Sequence, residues 1–242
     1  MKFVFVRLRP TWGFACRLQP QSKMRMAFRY PPPTSLIGAL AYPLLSRTEG
    51  RVEVIYRNKK PLSAAEIVKK YIMFVSTSFI GDSTIYGSLL RINRFYRGEV
   101  DYGITALPAV ITYSAKDSFL DIIYVVDEIN HELERAAWGI TRVGSRESVF
   151  SAEEVLTGDV IETREREAKT RFSFLLRPGM EISGEGTILY AVDWRESEIG
   201  DYHERERKPY VYPEGYMIVR AKDEPMKVAM VEVFGKTEVL IL

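Results

Sequence analysis

Residues 30–47 read YPPPTSLIGALAYPLLSR, and the fold turns on how this run is read. Three prolines keep helix from starting before Thr34, and Thr34 or Ser35 offers an oxygen to cap the first exposed amides. Leu36, Leu40 and Leu44 recur at i, i+4 and i+8 with Ile37 beside them, which predicts a helix with one apolar face. Upstream, KFVFVRLR (2–9) predicts a first strand, followed by an irregular, basic, proline-bounded stretch over 10–33. Downstream, VEVIYR (52–57) predicts a strand, and Ser63-Ala-Ala-Glu66 has the form of a capping box opening a helix to about Lys70. YIMFVSTSF (71–79) predicts another strand. Gly81, Gly87, Gly98 and Gly103 punctuate a basic aromatic stretch, which predicts a long projecting hairpin over 82–107. FLDIIYVVD (119–127) predicts a buried strand. Asn130 is placed to cap a helix over HELERAAW, which Gly139 ends.

The expected fold class is α+β. The order strand, helix, strand, helix, strands, helix is compatible with a ferredoxin-like (RRM-like) N-terminal domain over 1–157 carrying a hairpin insertion. After Gly158 the text is nearly all strand: RFSFLLR, TILYAVDW, YMIVRA, KVAMVEVF and EVLIL. Turn signals at Pro178-Gly179, Glu214-Gly215 and Gly235-Lys236 separate these segments. Residues 158–242 are therefore expected to form an antiparallel β region, either a second small domain or a continuation of the first.

The 242 residues are 46% hydrophobic, 27% charged and 12% aromatic, enough for a large core and unlike a disordered chain. Cys16 is the single cysteine, so no internal disulfide forms; this fits a reducing, cytoplasmic setting. The apolar stretch before Arg7 is too short for a signal-peptide core, and the run from Leu36 to Leu45 is too short for a membrane span. The chain holds three Asn (58, 93, 130) and two Gln (19, 21) against abundant Lys, Arg and Glu, a bias that points to a thermophile. Net charge is +2 but unevenly spread. No acid precedes Glu49, and Lys2, Arg7, Arg9, Arg17, Lys23, Arg25, Arg29 and Arg47 give the first 48 residues +8, leaving −6 for the rest. Such a field attracts a polyanion, although basic residues covering a solvated strand face would give the same count.

No metal site or cofactor is expected. His131 and His203 lack partners at metal-ligand spacing, and His131 sits beside Glu132 and Glu134 on a predicted surface helix. Walker loop, dinucleotide fingerprint and nucleophile elbow are absent. Glu165 and Glu167 alternate with Arg164 and Arg166, a self-compensating face rather than an acid–base pair. What remains is single-stranded RNA chemistry, with cations for phosphates and aromatic or guanidinium planes for bases. SKMRMAFRY supplies Lys23, Arg25, Arg29 and Tyr30, and LLRINRFYRG supplies Arg91, Arg94 and Arg97. Phe28 and Phe95 fit ordinary packing as well as base stacking.

Two motifs extend this reading. Tyr30-Pro-Pro-Pro-Thr-Ser-Leu-Ile-Gly38-Ala-Leu resembles the N-terminal signature of the CRISPR-associated Cas-five family, in which a proline- and serine-bearing turn leads into the first helix through a glycine. Arg142-Val-Gly144-Ser145-Arg146-Glu-Ser148-Val is similar to the glycine–arginine–serine stretch that opens the later part of that family. The resemblance covers about residues 1–160. It implies a RAMP-superfamily protein and a non-catalytic subunit of a type I-A Cascade complex. Such a subunit binds the 5′ handle of the crRNA and caps a filament of Cas-seven backbone subunits in antiviral defence. It also touches the large subunit. A thumb hairpin, here residues 82–107, packs on the neighbour. Gly144 and Ser145 would let backbone approach a phosphate, and Arg142 and Arg146 would fork onto it. The alternative is a metal-independent endoribonuclease that processes repeat RNA, but that subtype places Lys and His side by side and this sequence has no such pair. A scaffold whose basic face meets an acidic protein is a third reading.

Overall fold

A computed structural model describes residues 1–17, 27–47, 53–96, 99–111, 117–144, 148–200 and 206–242; for 17, 27, 85–96 and 99–111 it describes backbone only. The chain opens with β1 (Lys2–Pro10), β2 (Cys16–Arg17) and β3 (Ala27–Phe28), then α1 (Pro33–Leu45). The hairpin β4 (Val54–Arg57) and β5 (Lys60–Ser63) leads into the short α2 (Ala65–Lys69). Next come β6 (Ile72–Ile80), β7 (Thr84–Tyr96), β8 (Glu99–Ile111), β9 (Phe119–Val126), α3 (His131–Trp138) and β10 (Phe150–Asp159). β1, β6, β9 and β10 form one antiparallel sheet in the order β10-β1-β9-β6.

Alternation sorts this sheet's side chains onto two faces, and both are covered. Val4, Val6, Leu8, Leu120, Ile122 and Tyr124 face α1 and α3, where they meet Leu36, Ile37, Leu40, Ala136 and Ala137. The Tyr124 hydroxyl donates to the Leu36 carbonyl at 2.8 Å, which satisfies the one polar atom of a fully buried ring. Phe3, Phe5, Ile123 and Val125 face the other way, toward Phe172, Val231, Val233 and Leu240. Burial on both faces explains why 119–126 is nearly continuous apolar sequence rather than an alternation.

The remaining strands are β11 (Ile161–Glu165), β12 (Glu167–Thr170), β13 (Phe174–Leu175), β14 (Met180–Ser183), β15 (Gly186–Val192), β16 (Arg207–Pro213), β17 (Met217–Ala221), β18 (Met226–Val233) and β19 (Lys236–Ile241). They pair antiparallel in three small sheets, β11-β18-β19, β12-β17-β14 and β13-β16-β15. Their own core holds Phe174, Val211, Met217, Val219 and Val228. Trp194, Ile199, Tyr210 and Tyr212 also enter the helix-side core, so residues after 158 contribute to the cores on both faces of the first sheet. The expected boundary at 157/158 falls inside β10. The molecule is thus α+β, predominantly antiparallel strand with few helices.

A buried ionic chain ties the two halves. Arg7 holds Asp121 with two bonds of 2.8 Å, Arg171 bonds the same carboxylate at 2.9 Å, and Arg171 reaches Glu238 at 2.8 Å. Tyr216 closes the chain by donating to Glu238. The Asp121 side chain is fully buried, so its charge must be matched by neighbours rather than water.

Several local expectations are corrected. Helix α1 begins at Pro33, not at Thr34; Pro32 is the N-cap, and neither Thr34 nor Ser35 caps it through a side chain. Proline is tolerated there because the first-turn amides have no intrahelical partner in any case. The capping box over Ser63–Glu66 does not close: Glu66 accepts from the Ile199 amide at 2.6 Å and pairs with Lys69. A tertiary donor outcompeted the local one. Residues 60–63, of which local pattern assigns only Ser63, as the start of the capping box, form β5 through a tight turn at Asn58 and Lys59, both with left-handed φ. By contrast the Asn130 side chain caps α3 as expected, accepting from the Leu133 amide at 2.8 Å. The hairpin expected over 82–107 is present as β7 and β8, thirteen paired residues each, but it runs from Thr84 to Ile111. Both its strands pair only with each other among the described residues.

Candidate nucleic-acid interface

Helix α1 has two stripes. Leu36, Ile37 and Leu40 point into the core, while Ser35, Gly38 and Tyr42, at i, i+3 and i+7, face a groove. Ser63, the last residue of β5, and Ala64, the N-cap of α2, form the opposite wall with Glu53. Arg142 and Gly144, from the loop after α3, close the third side. The groove has a volume of about 720 Å³.

Its aromatic and its cation are already arranged together. The Arg142 guanidinium carbon lies 4.5 Å from the centre of the half-exposed Tyr42 ring. A flat cation over a flat ring is a plane on which a base can stack, with N–H donors at its rim for a phosphate.

The loop bearing Arg142 is fastened at its base. Phe150 donates to the Thr141 carbonyl at 2.9 Å, Arg142 and Val149 form an isolated bridge, and Thr11 donates to Val149 at 3.0 Å. The buried Ser148 hydroxyl accepts from the Ala15 amide at 2.8 Å. Gly144 has φ +93, and a Cβ there would stand 2.6 Å from the Cys16 sulfur and 2.7 Å from the Ala15 carbonyl oxygen. Only glycine fits, for a packing reason. Cys16 in turn is hydrogen-bonded by the Ser35 side chain of α1, and burial pushes its thiol up to about 12. Residues 14–16 therefore fasten the loop to the start of α1, so two adjoining sides of the groove from distant parts of the sequence are held together.

Gly38 has the opposite character. A Cβ built on it meets nothing within 4 Å, so packing within the chain does not ask for glycine at this helix-interior position.

The other predicted residues are scattered. Arg29 pairs with Glu214 at 3.2 Å and donates to the Ser83 hydroxyl at 3.1 Å. The Tyr30 ring is 4% exposed and stacks on Tyr212 with centroids 5.2 Å apart, which leaves no open face for a base. Burial raises its phenol above the ordinary value, and its hydroxyl bonds Glu214. Arg91 and Arg94 lie on β7, opposite Ile104 and Asp101. Lys23, Arg25, Arg97, Ser145, Arg146 and His203 lie outside the described residues. His131 is exposed in the first turn of α3. Among the described residues no group of three or more His, Cys, Asp or Glu is arranged to hold a metal.

The acid-free N-terminus is also less bare than its sequence. Lys2 pairs with Asp159, Arg7 with Asp121, Arg9 with Glu153 and Arg29 with Glu214. Four of the five early cations whose side chains are described are therefore matched by acids from later in the chain. Sequence reasoning also missed Tyr42 and Ser63. The signal for Tyr42 was its spacing from Ser35 and Gly38, off the leucine stripe; Ser63 carries none, because α2 reaches the groove only through tertiary packing.

No family model matches the sequence. Two curated proteins of Saccharolobus solfataricus do: one named CRISPR system aCascade subunit Cas5 1, 30% identical over 205 residues, and one named CRISPR-associated protein Cas5 3, 29% identical over 205 residues. Each alignment covers 80% of this chain and 79% of the relative. Among solved structures, a CRISPR protein from Archaeoglobus fulgidus superposes with a TM-score of 0.63 at 19% identity, covering 100% of both chains.

Proposed function

Because the chain belongs to the Cas5 family of CRISPR-associated proteins, we propose that it is a non-catalytic subunit of a type I-A Cascade complex that binds the 5′ handle of the crRNA in the groove between α1, α2 and the Arg142–Gly144 loop. The observation that carries this reading is convergence. Ser35 and Gly38 come from one family-like motif, Arg142 and Gly144 from the other, and all four line one groove. Phosphate recognition falls to Arg142, base stacking to the Tyr42–Arg142 plane, and close approach to the bare backbone at Gly38.

The first sheet supports a ferredoxin-like reading of the N-terminal half. Numbered by position in the chain, its four strands lie in the spatial order 4-1-3-2, with α1 between the first two and α3 between the last two. The β7–β8 hairpin is inserted between the adjacent strands β6 and β9, at about 40 Å if fully extended. A two-stranded hairpin is marginal by itself in water, which favours a neighbour that covers it. We read it as the thumb that packs on a Cas-seven backbone subunit while the large subunit contacts the body. Non-catalysis is supported by Tyr30, whose sealed ring is poorly placed to handle a substrate proton, and by the missing Lys-His pair.

The test is incubation of the full chain with labelled repeat RNA in EDTA, resolved on native and denaturing gels. A shifted, uncut RNA is expected; cut RNA overturns the non-catalytic reading. Arg142→Ala is expected to weaken binding and to reduce the salt slope by about one unit. Unchanged affinity in a folded Arg142→Ala protein overturns the groove assignment.

A further inference from the structure

The β4–β5 hairpin carries an exposed face that the groove does not account for. Directly paired residues of an antiparallel hairpin share a side, so Val54, Tyr56, Pro61 and Ser63 lie on one face and Ile55, Arg57, Lys60 and Leu62 on the other. The second face is braced. Leu62 is buried, the Ser63 amide donates to the Ile199 carbonyl at 2.9 Å, and Arg57 pairs with Glu198 at 2.8 Å. Gly200 lies so close that a Cβ on it would stand 2.8 Å from the Ser63 nitrogen. The hairpin is thus held from behind by residues 198–200.

The first face is open. Tyr56 is 76% exposed, the highest value for a large apolar side chain among the described residues, and Val54 is 47% exposed. Pro61 beside Tyr56 is exposed as well. At its inner end this face reaches Ser63, which lines the groove. Tyr56 stands two strand positions farther out, about 7 Å along the hairpin. From Val54 to Ser63 there is no acid, while Arg57, Lys59 and Lys60 surround the turn. A braced strip that leaves a tyrosine and a proline side by side in water is a candidate contact surface. Glu53 lies at the groove end of this face and Glu198 pairs with Arg57 behind it, while Lys59 sits at the turn; an aromatic face beside such a cation suits single-stranded RNA.

We propose that the Val54/Tyr56/Pro61 face of this hairpin is a base-stacking site that continues the groove, taking the next nucleobase of the bound RNA on Tyr56 while Lys59 at the turn meets its phosphate. The site rests on the groove reading for its continuity, but it is separable from it. Fluorescence anisotropy of the full chain would be measured with labelled repeat RNA and with a set of the same RNA carrying one abasic position each, for the parent, Tyr56→Ala, Tyr56→Trp, Lys59→Ala and Arg142→Ala.

Tyr56→Ala is expected to lower affinity roughly 5- to 150-fold and Tyr56→Trp to retain it. The parent is expected to show one abasic position with a penalty that disappears in Tyr56→Ala. Lys59→Ala is expected to reduce the salt slope by about one unit. Tyr56→Ala within twofold of the parent on every RNA overturns the proposal, and so does a loss that no abasic position suppresses. If Arg142→Ala weakens binding while Tyr56→Ala does not, the groove stands and the hairpin site falls; the reverse pattern removes the groove and leaves the hairpin. If neither variant changes affinity, both fall. Because Tyr56 is so exposed, its substitutions are expected to leave the melting temperature unchanged, which keeps the comparison clean.

Discussion

Gly38 and Gly144 line the same groove for opposite reasons. A Cβ at Gly38 meets open space, so Gly38→Ala removes the helix-interior cost of glycine and is expected to stabilise the fold by roughly 0.5–1 kcal/mol in denaturant titration. The same variant is expected to bind repeat RNA more weakly, because its methyl group occupies the approach. Gly144 combines left-handed φ with contacts under 3 Å, so Gly144→Ala is expected to cost about 1–3 kcal/mol from backbone strain, with the clash against Cys16 and Ala15 added. Cys16 offers a separate check. Burial holds its thiol at about 12 instead of 9.0, so a thiol reagent at pH 8 is expected to leave the native protein unmodified and to label it once unfolded. The sign follows: the unfolded thiol ionises first, so the folding stability this group contributes is complete below pH 9 and falls as pH rises toward 12. Both motif glycines were visible as residues in the text. Which one is demanded by packing was not, since Ala15 and Cys16 lie far from Gly144 in sequence.

At the scale of elements, local patterns succeeded where a segment supplies its own partners. Asn130 caps α3 with its own first turn, and the glycine-punctuated stretch forms the β7–β8 hairpin. They failed where a distant group intervened. Glu66 serves Ile199 rather than its own helix, and β5 exists because it pairs with β4 and is held by residues 198–200. The inserted hairpin gives a prediction at this scale. Replacing residues 84–111 with a short turn is expected to leave melting nearly unchanged, because β6 and β9 pair with each other without it. The shortened chain is expected to lose assembly with a backbone subunit in co-purification while keeping RNA binding.

For the whole molecule, the buried Arg7–Asp121–Arg171–Glu238 chain links the halves alongside the two shared apolar cores. Asp121→Ala leaves two arginines without their shared carboxylate and is expected to destabilise the fold by about 3–5 kcal/mol in chemical denaturation. Dispersed ion pairs and few amides predict a melting temperature above the mesophile range, beyond about 65 °C by calorimetry. Charge also shows where sequence reading reaches its limit. The run of eight cations without an acid is a true property of the chain, yet Asp121, Glu153, Asp159 and Glu214 neutralise four of them in the fold. What the sequence alone determined was the alternation of strands and helices, the hairpin insertion, the strand-rich second half and the two motifs that carry the family likeness, because these depend on periodicity and neighbours within a turn or a strand. Tertiary structure alone decided that the motifs meet in one groove, that Tyr30 is sealed while Tyr42 and Tyr56 are open, and that Lys2, Arg7, Arg9 and Arg29 are matched by distant acids. Those outcomes depend on contacts between residues a hundred or more positions apart, and no local pattern encodes such distances.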